Sequence, residues 1–237
     1  MISARFDAVW QATWPAESYA DAGGLRTGRG RGGGGRVSAT RRTGPWSDTD
    51  IDAAEAQHRD WDQPPLFAVE DADTPLIAAL TARGYETAKP TLILSAPIAD
   101  LTDRPIPPVM ALEHWPPLAI LRDLWIEADI GPARQAVMHR ASAPKAAILG
   151  RVEDRAAGAG FVSVHETTAT LHALTVLPRF RRAGLADWIV RRAALFGAGH
   201  GADTLALAVT AANAPARALY DRLGFTEIGR YEYFQRG

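Results

Sequence analysis

The run Leu171–Ala186, L-H-A-L-T-V-L-P-R-F-R-R-A-G-L-A, constrains the fold more than any other stretch of the chain. An apolar strand passes into a turn of arginines and small residues, and a helical pattern, D-W-I-V-R-R-A-A-L-F, begins at once. The first N–H groups of a helix have no intrahelical partner, and the helix dipole adds partial positive charge there. An anion at that point gains from both, so a strand–turn–helix of this composition suits a phosphate. Small residues at Ala183, Gly184 and Ala186 leave the backbone approachable.

Further on, Thr204–Val209 reads as a buried strand. Asn213 sits in a short loop, and Ala214–Leu223 reads as a helix with Pro215 early and Gly224 just past its end. Phe225–Phe234 reads as a last strand. Upstream, Pro108–His114 reads as a strand, Leu118–Ala128 and Pro132–Ala141 as helices, and Ala146–Val152 and Phe161–His165 as strands joined by a Gly/Ala turn. Periodicity alone gives an α/β class.

Two motifs go further. Arg181-x-x-Gly184-x-Ala186, preceded by Val176 and Pro178, and Asn213-x-x-Ala216-x-x-Leu219-Tyr220-x-x-x-Gly224-Phe225 occur in order, one helix apart. Together they resemble the GNAT N-acetyltransferases over roughly residues 108–237. The resemblance implies an α/β fold with a mixed, splayed β-sheet flanked by helices. It implies acetyl-CoA as cofactor, no metal, and direct attack by the primary amine of a small molecule. By the same resemblance the CoA pyrophosphate rests on Arg181, Arg182, Ala183, Gly184, Leu185 and Ala186. The pantetheine arm bonds the backbone at Leu174 and Val176, with the thioester carbonyl near the latter. Asn213 contacts the cofactor, and Tyr220 protonates the leaving thiolate. A phenol with a pKa of about 10 keeps its proton at neutral pH and suits that task. Asn213 also reads as a plain helix N-cap.

The general base is less marked. Strand alternation puts Thr170, His172, Leu174 and Val176 on one face, which makes His172 the best-placed titratable group. His165, Glu166 and Glu127 are weaker candidates, and positioning alone can supply much of the rate. Glu127 and Asp129, between the two early helices, read either as attractors of a cationic amine or as surface charges.

The first part of the chain reads as a worn copy of the second, so two GNAT-like halves are expected. Phe67-Ala68-Val69 precedes Leu207-Ala208-Val209 by 140 positions, and Gly84-Tyr85 precedes Gly224-Phe225 by the same interval. Leu80 stands where the copy has Tyr220, Asp73 where it has Asn213, and Pro45 and Trp46 follow Arg41–Gly44. The reading is a degenerate half over 1–97 that does not bind CoA, a Pro-rich linker over 98–109, and a catalytic domain over 110–237. The alternative is a non-catalytic acyl-CoA sensor whose first half is a regulatory or dimerising partner; a homodimer fits either reading.

Gly28–Arg36, G-R-G-R-G-G-G-G-R, matches both a dinucleotide fingerprint and an RGG element on paper. No strand–helix unit brackets it, and the net charge of −1 supplies no basic field, so a flexible hairpin loop is expected and no nucleic acid. There are no cysteines, hence no disulfide and no thiol nucleophile. No signal peptide and no membrane-spanning apolar run is legible, which points to the cytoplasm.

Overall fold

The computed structural model describes the backbone of residues 4–236 and the side chains of residues 7–236. The first half contains α1 (Ala4–Thr13), β1 (Tyr19–Ala22), β2 (Leu25–Gly28), α2 (Gly35–Ser38), β3 (Thr40–Arg42), α3 (Asp48–Asp60), β4 (Leu66–Glu70), α4 (Thr74–Ala82) and β5 (Glu86–Pro97). The short α5 (Ile98–Leu101) leads into β6 (Ala111–His114), α6 (Ala119–Glu127), α7 (Pro132–Arg140), β7 (Lys145–Val152), β8 (Arg155–His165) and β9 (Thr168–Val176). Then come α8 (Leu185–Gly199), β10 (Thr204–Thr210), α9 (Ala214–Arg222) and β11 (Thr226–Gln235).

The eleven strands of the described residues form one mixed sheet in the order β1-β2-β3-β4-β11-β5-β10-β9-β8-β7-β6. Strand β10 is bonded along Thr204–Thr210 to β5, the last strand of the first half. Strand β11 is bonded to β4 on one side and to β5 on the other. Each half therefore lays its last strand against the penultimate strand of the other.

The internal repeat has matching backbone geometry. Helices α4 and α9 and the starts of β5 and β11 lie 140 positions apart. Gly84 and Gly224 close the two helices with φ of 81° and 79°, a region that favours glycine. The N–H of Tyr85 donates to Leu80 O at 3.1 Å, and that of Phe225 to Tyr220 O at 3.0 Å. The interval fails at β3, which lies 12 residues past the place that β9 dictates.

The expected linker is not free chain. Ile98 and Leu101 are buried in the same apolar cluster as α8, and the N–H of Ile98 donates to Asp203 O at 2.8 Å. Buried Arg191 of α8 bonds Leu101 O at 3.0 Å and pairs with Asp103 and, at 2.6 Å, Asp187. Strand β8 is also longer than its sequence suggests: the turn falls at Glu153–Asp154, both left-handed (φ 49° and 60°), and Gly158 and Gly160 lie within the strand. A Cβ at Gly160 would stand 2.8 Å from Ile189 of α8, so these glycines let the helix sit directly on the sheet.

Gly28–Arg36 is not a simple hairpin loop: it ends in the single turn of α2 before β3. Gln63 ties the segment down, donating to Gly28 O at 2.8 Å and accepting from Gly30 N at 3.2 Å. A Cβ at Gly33 would lie 2.9 Å from Val137 of α7, so this loop packs backbone-close onto the other half. Helix α1, which the sequence reading did not anticipate, lays Trp10 and Trp14 one turn apart into the interior. Among the described residues no helix is long and apolar enough to cross a membrane.

The exchange predicts that residues 110–237 expressed alone do not fold, because β10 and β11 lose β5 and expose long unpaired edges. Circular dichroism of that fragment should show no cooperative thermal transition, whereas the whole chain melts as one unit.

Candidate functional site

The parallel pairing of β9 with β10 runs from Thr168↔Thr204 to Leu171↔Leu207 and stops. Beyond it the strands diverge, and Ala173–Val176 become half-exposed along an open edge. A bulge marks the fork. Ala159 pairs with Thr175 and Phe161 with His172, so Ala173 and Leu174 oppose Gly160 alone. Ala173 takes φ of 50°, and its carbonyl accepts the indole N–H of buried Trp125 at 3.0 Å.

The bulge also breaks side-chain alternation. Leu171 and Leu174 both pack in the α8 cluster, whereas Ala173 packs with Trp125 on the other face, and His172 lies beside Trp14 there. The expectation of His172 and Leu174 on one face is corrected accordingly. Past the bulge, Leu177 N donates to Ala157 O at 2.9 Å, toward β8. Alternation from that point turns the N–H groups of Leu174 and Val176 toward the fork.

Strand β9 ends in a 3-10 turn over Pro178–Phe180, and Arg181–Gly184 lie exposed ahead of α8. Helix α8 forms because Leu185, Ile189, Val190, Ala193, Ala194 and Gly197 make one buried stripe at helical spacing. Gly184 is its N-cap, left-handed at φ 75°, ψ 1°, and Arg182 is left-handed at φ 69°. Among the described residues, the N–H groups of Arg182, Ala183 and Gly184 donate to nothing. Those of Leu185 and Ala186 are first-turn donors without an intrahelical acceptor. Asp187, an anion in the same first turn, is drawn aside by Arg104 at 2.8 Å and Arg191 at 2.6 Å. The Arg181 side chain folds back onto Val176 O at 3.2 Å.

Tyr220 of α9 packs with Leu207, Val209 and Leu171 on the α8 face of the fork. It is 6% exposed, and burial pushes its phenol up to about 12. Its hydroxyl bonds no other described residue. Asn213 caps α9, its Oδ1 accepting from Ala216 N at 3.2 Å. That geometry matches the plain N-cap reading and leaves its amide N–H groups outward.

His172 stands at the apex of the fork on the opposite face, enclosed by Trp10, Trp14 and Phe161. Arg36 donates to its Nδ1 at 3.0 Å, so Nε2 carries the ring proton and faces Thr170 Oγ1 at 2.9 Å. Burial, then the Arg36 charge, hold its pKa well below the usual histidine value. A general base needs a free lone pair, and this one is filled by a guanidinium. His172 is the expected general base, and in this geometry its Nδ1 is occupied by Arg36. His165 and Glu166 lie at the far end of β9 from Val176, roughly 25 Å along the strand. Glu127 pairs with Arg179 on the surface, and Asp129 is exposed in the α6–α7 connection.

The face around His172 holds residues that the sequence reading did not single out. Trp10, Ile93, Ala68 and Tyr231 pack there, with Ala208 and Tyr233 at the edge. The Arg36 guanidinium lies 5.1 Å from the Trp10 ring and that of Arg41 lies 4.9 Å from the Tyr231 ring. Tyr231 Oη and Tyr233 Oη are 3.3 Å apart. Burial would raise the Tyr231 phenol, but Arg36 and Arg41 outweigh it and hold it below the ordinary value; burial raises Tyr233. Beside Tyr233 a groove of about 840 Å³ opens at the same end of the sheet as the fork, with Arg29, Arg31, Trp61 and Lys89 in its wall. The i, i+4 spacing of Trp10 and Trp14 was the one available sequence signal; Arg36 lies in the glycine run and carried none.

Residues 112–225 match the acetyltransferase (GNAT) family. No match to a curated protein sequence was found. Among solved structures, the chain resembles a GCN5-related N-acetyltransferase from Kribbella flavida at TM-score 0.71 and 16% identity, covering 99% of this chain and 95% of that one. It resembles a GNAT-family acetyltransferase structure from Novosphingobium aromaticivorans at TM-score 0.59 and 16% identity, covering 97% and 96%. A tandem GNAT protein from the clavulanic acid biosynthesis pathway matches at TM-score 0.61 and 14% identity, covering 83% and 74%. These structural likenesses concern the fold.

Two buried neutral histidines predict acid sensitivity. His58 bonds Thr40 Oγ1 at 2.9 Å and Gln63 at 3.0 Å, and burial lowers its pKa to about 4. Below about 6.5 the unfolded chain binds these protons and the folded chain does not. Stability is therefore complete above that pH and is lost as pH falls toward 4; His58 alone contributes about 3 kcal/mol. Denaturant midpoints should fall between pH 7 and pH 5, less steeply in His58→Gln.

Proposed function

We propose that this chain, a member of the GNAT acetyltransferase family through residues 112–225, acetylates the primary amine of a small molecule with acetyl-CoA held in the β9–β10 fork. The observation that carries this reading is the pairing of an open strand edge with an exposed turn of unsatisfied N–H donors at the start of α8. Bound acetyl-CoA supplies the acetyl group as an activated thioester. The backbone of Arg182–Ala186 binds the pyrophosphate, and Gly184 gives the approach a side chain would narrow. Asn213, outward at the neck of α9, borders the same opening.

The N–H groups of Leu174 and Val176 hold the arm along β9. Leu174, next to the bulge, is the better donor to the acyl carbonyl, because Val176 lies about 7 Å further toward the turn. A backbone N–H fixed there stabilises negative charge developing on that oxygen. The Trp125–Ala173 bond and the Arg36–His172 contact keep this donor in place.

Tyr220 holds its proton throughout the physiological range. With its phenol near 12, it donates a hydrogen bond to the departing sulfur rather than transferring its proton fully to it, since a thiol is the stronger acid. The amine sheds its own proton to water in the groove, and the rate comes chiefly from bringing amine and thioester together. The first half, with Leu80 for Tyr220 and a Ser47–Asp50 capping box closing the N-terminus of α3, binds no second cofactor.

Two variants test the assignment. Gly184→Asp keeps the left-handed turn, which aspartate tolerates, but sets a carboxylate against the phosphates. CoA affinity by calorimetry should drop by about tenfold or more with an unchanged melting temperature. Tyr220→Phe should lower kcat about 10- to 100-fold with CoA affinity kept. Binding unaltered in Gly184→Asp would refute the turn as the phosphate site. A parent protein that binds acetyl-CoA yet turns over no amine would be a sensor.

A further inference from the structure

We propose that the acceptor amine also bears a carboxylate, received by Arg36, Arg41 and Arg134 on the face of the sheet opposite α8. The inference rests on the acetyltransferase reading and names its acceptor class. Among the described residues, none of these three guanidiniums has a carboxylate within ion-pair distance. Other arginines, Arg122, Arg140 and Arg192 among them, bond only backbone carbonyls among the described residues, so what marks Arg36 and Arg41 is their placement on a cavity between α1 and the sheet. Buried Arg191 has two carboxylates, Arg83 has Asp48 and Asp52, and Arg26 has Asp21.

Arg36 and Arg41 are half-buried and already aimed. Each lies over an aromatic ring, and Arg36 is fixed by its bond to His172 Nδ1, at the apex of the fork. Both line a cavity of about 40 Å³ between α1 and the sheet, room for a carboxylate or a few waters. The acid on that wall is Asp7, whose carboxyl burial raises against the pull of Arg41, so it is a weak counter-charge. Arg134 stands at the rim, exposed, with its Nε 4.0 Å from a Cβ at Gly34, where the 840 Å³ groove begins. Desolvation and the like charge of Arg36 lower its pKa, whereas at Arg41 burial is outweighed by the Tyr231 and Tyr233 phenols and Asp7, which raise it.

A planar guanidinium takes a carboxylate in two parallel bonds, and partly desolvated cations gain most from such a partner. Arg36 and Arg41 come from the first half, Arg134 and His172 from the second. The acceptor site is thus shared between the halves, and the first half has a direct role in substrate choice.

The test uses the full chain with acetyl-CoA and amines in matched pairs, each amino acid (α, β and γ) beside its carboxamide. The expected result is a kcat/KM roughly tenfold or more higher for the carboxylate member of the productive pair. Arg134→Gln, at the exposed rim, should raise KM for that substrate several-fold, erase its advantage over the amide, and leave kcat and the acetyl-CoA KM in place. Arg36→Gln should also erase the advantage over the amide, and should lower kcat as well because the contact with His172 Nδ1 is lost with it. Equal or faster turnover of the amides, with acetyl-CoA binding intact, would overturn the inference and leave the acetyltransferase reading standing. Preference for succinyl-CoA over acetyl-CoA with neutral amines, lost in Arg134→Gln, would overturn it by assigning the carboxylate to the acyl group. Absence of acetyl-CoA binding by calorimetry would remove the underlying reading and this one with it.

Discussion

The second half depends on the point at which β9 and β10 cease to pair. Two strand edges left open inside a sheet are ordinarily a liability, because each carries a row of unsatisfied backbone groups. Here several contacts hold the fork apart. The bulge at Ala173 turns β9, the Trp125 indole clamps its carbonyl, and β5 grips the far side of β10 along its full length. The unsatisfied donors are thereby fixed in place, ready for a ligand with acceptors at matching intervals.

The sheet separates two kinds of environment. Around Tyr220 on the α8 face the surroundings are apolar, and its phenol is driven up by loss of solvent alone. On the opposite face Tyr231 lies among guanidiniums and moves the other way. The same functional group meets burial in both places, and the neighbouring charge decides the sign. His172 belongs to the second environment, where burial first and then the neighbouring Arg36 cation keep its imidazole neutral.

Much of this was legible in the chain because it is local. The turn Arg181–Ala186, the α9 motif and the 140-residue repeat of strand, helix, glycine and strand depend on neighbours in sequence, and composition announces them. The exchange of β5 and β11 is not local. Both strands carry the same pattern, and nothing in periodicity says which partner each chooses. The bulge escaped for a related reason. One extra residue at Ala173 reverses every face assignment after it, and no residue type there demands it. Helix α1 was missed although Trp10 and Trp14 are spaced for it, and Arg36 was hidden in a glycine run that both turns the chain and packs closely.

That close packing has a consequence of its own. Where Gly33 meets Val137, the first half rests on α7 with the thickness of bare backbone between them. The glycine run works as a shim: it sets the height at which Arg36 crosses to His172. A single methyl group there would act at a distance, lifting a guanidinium off an imidazole in the other half of the molecule.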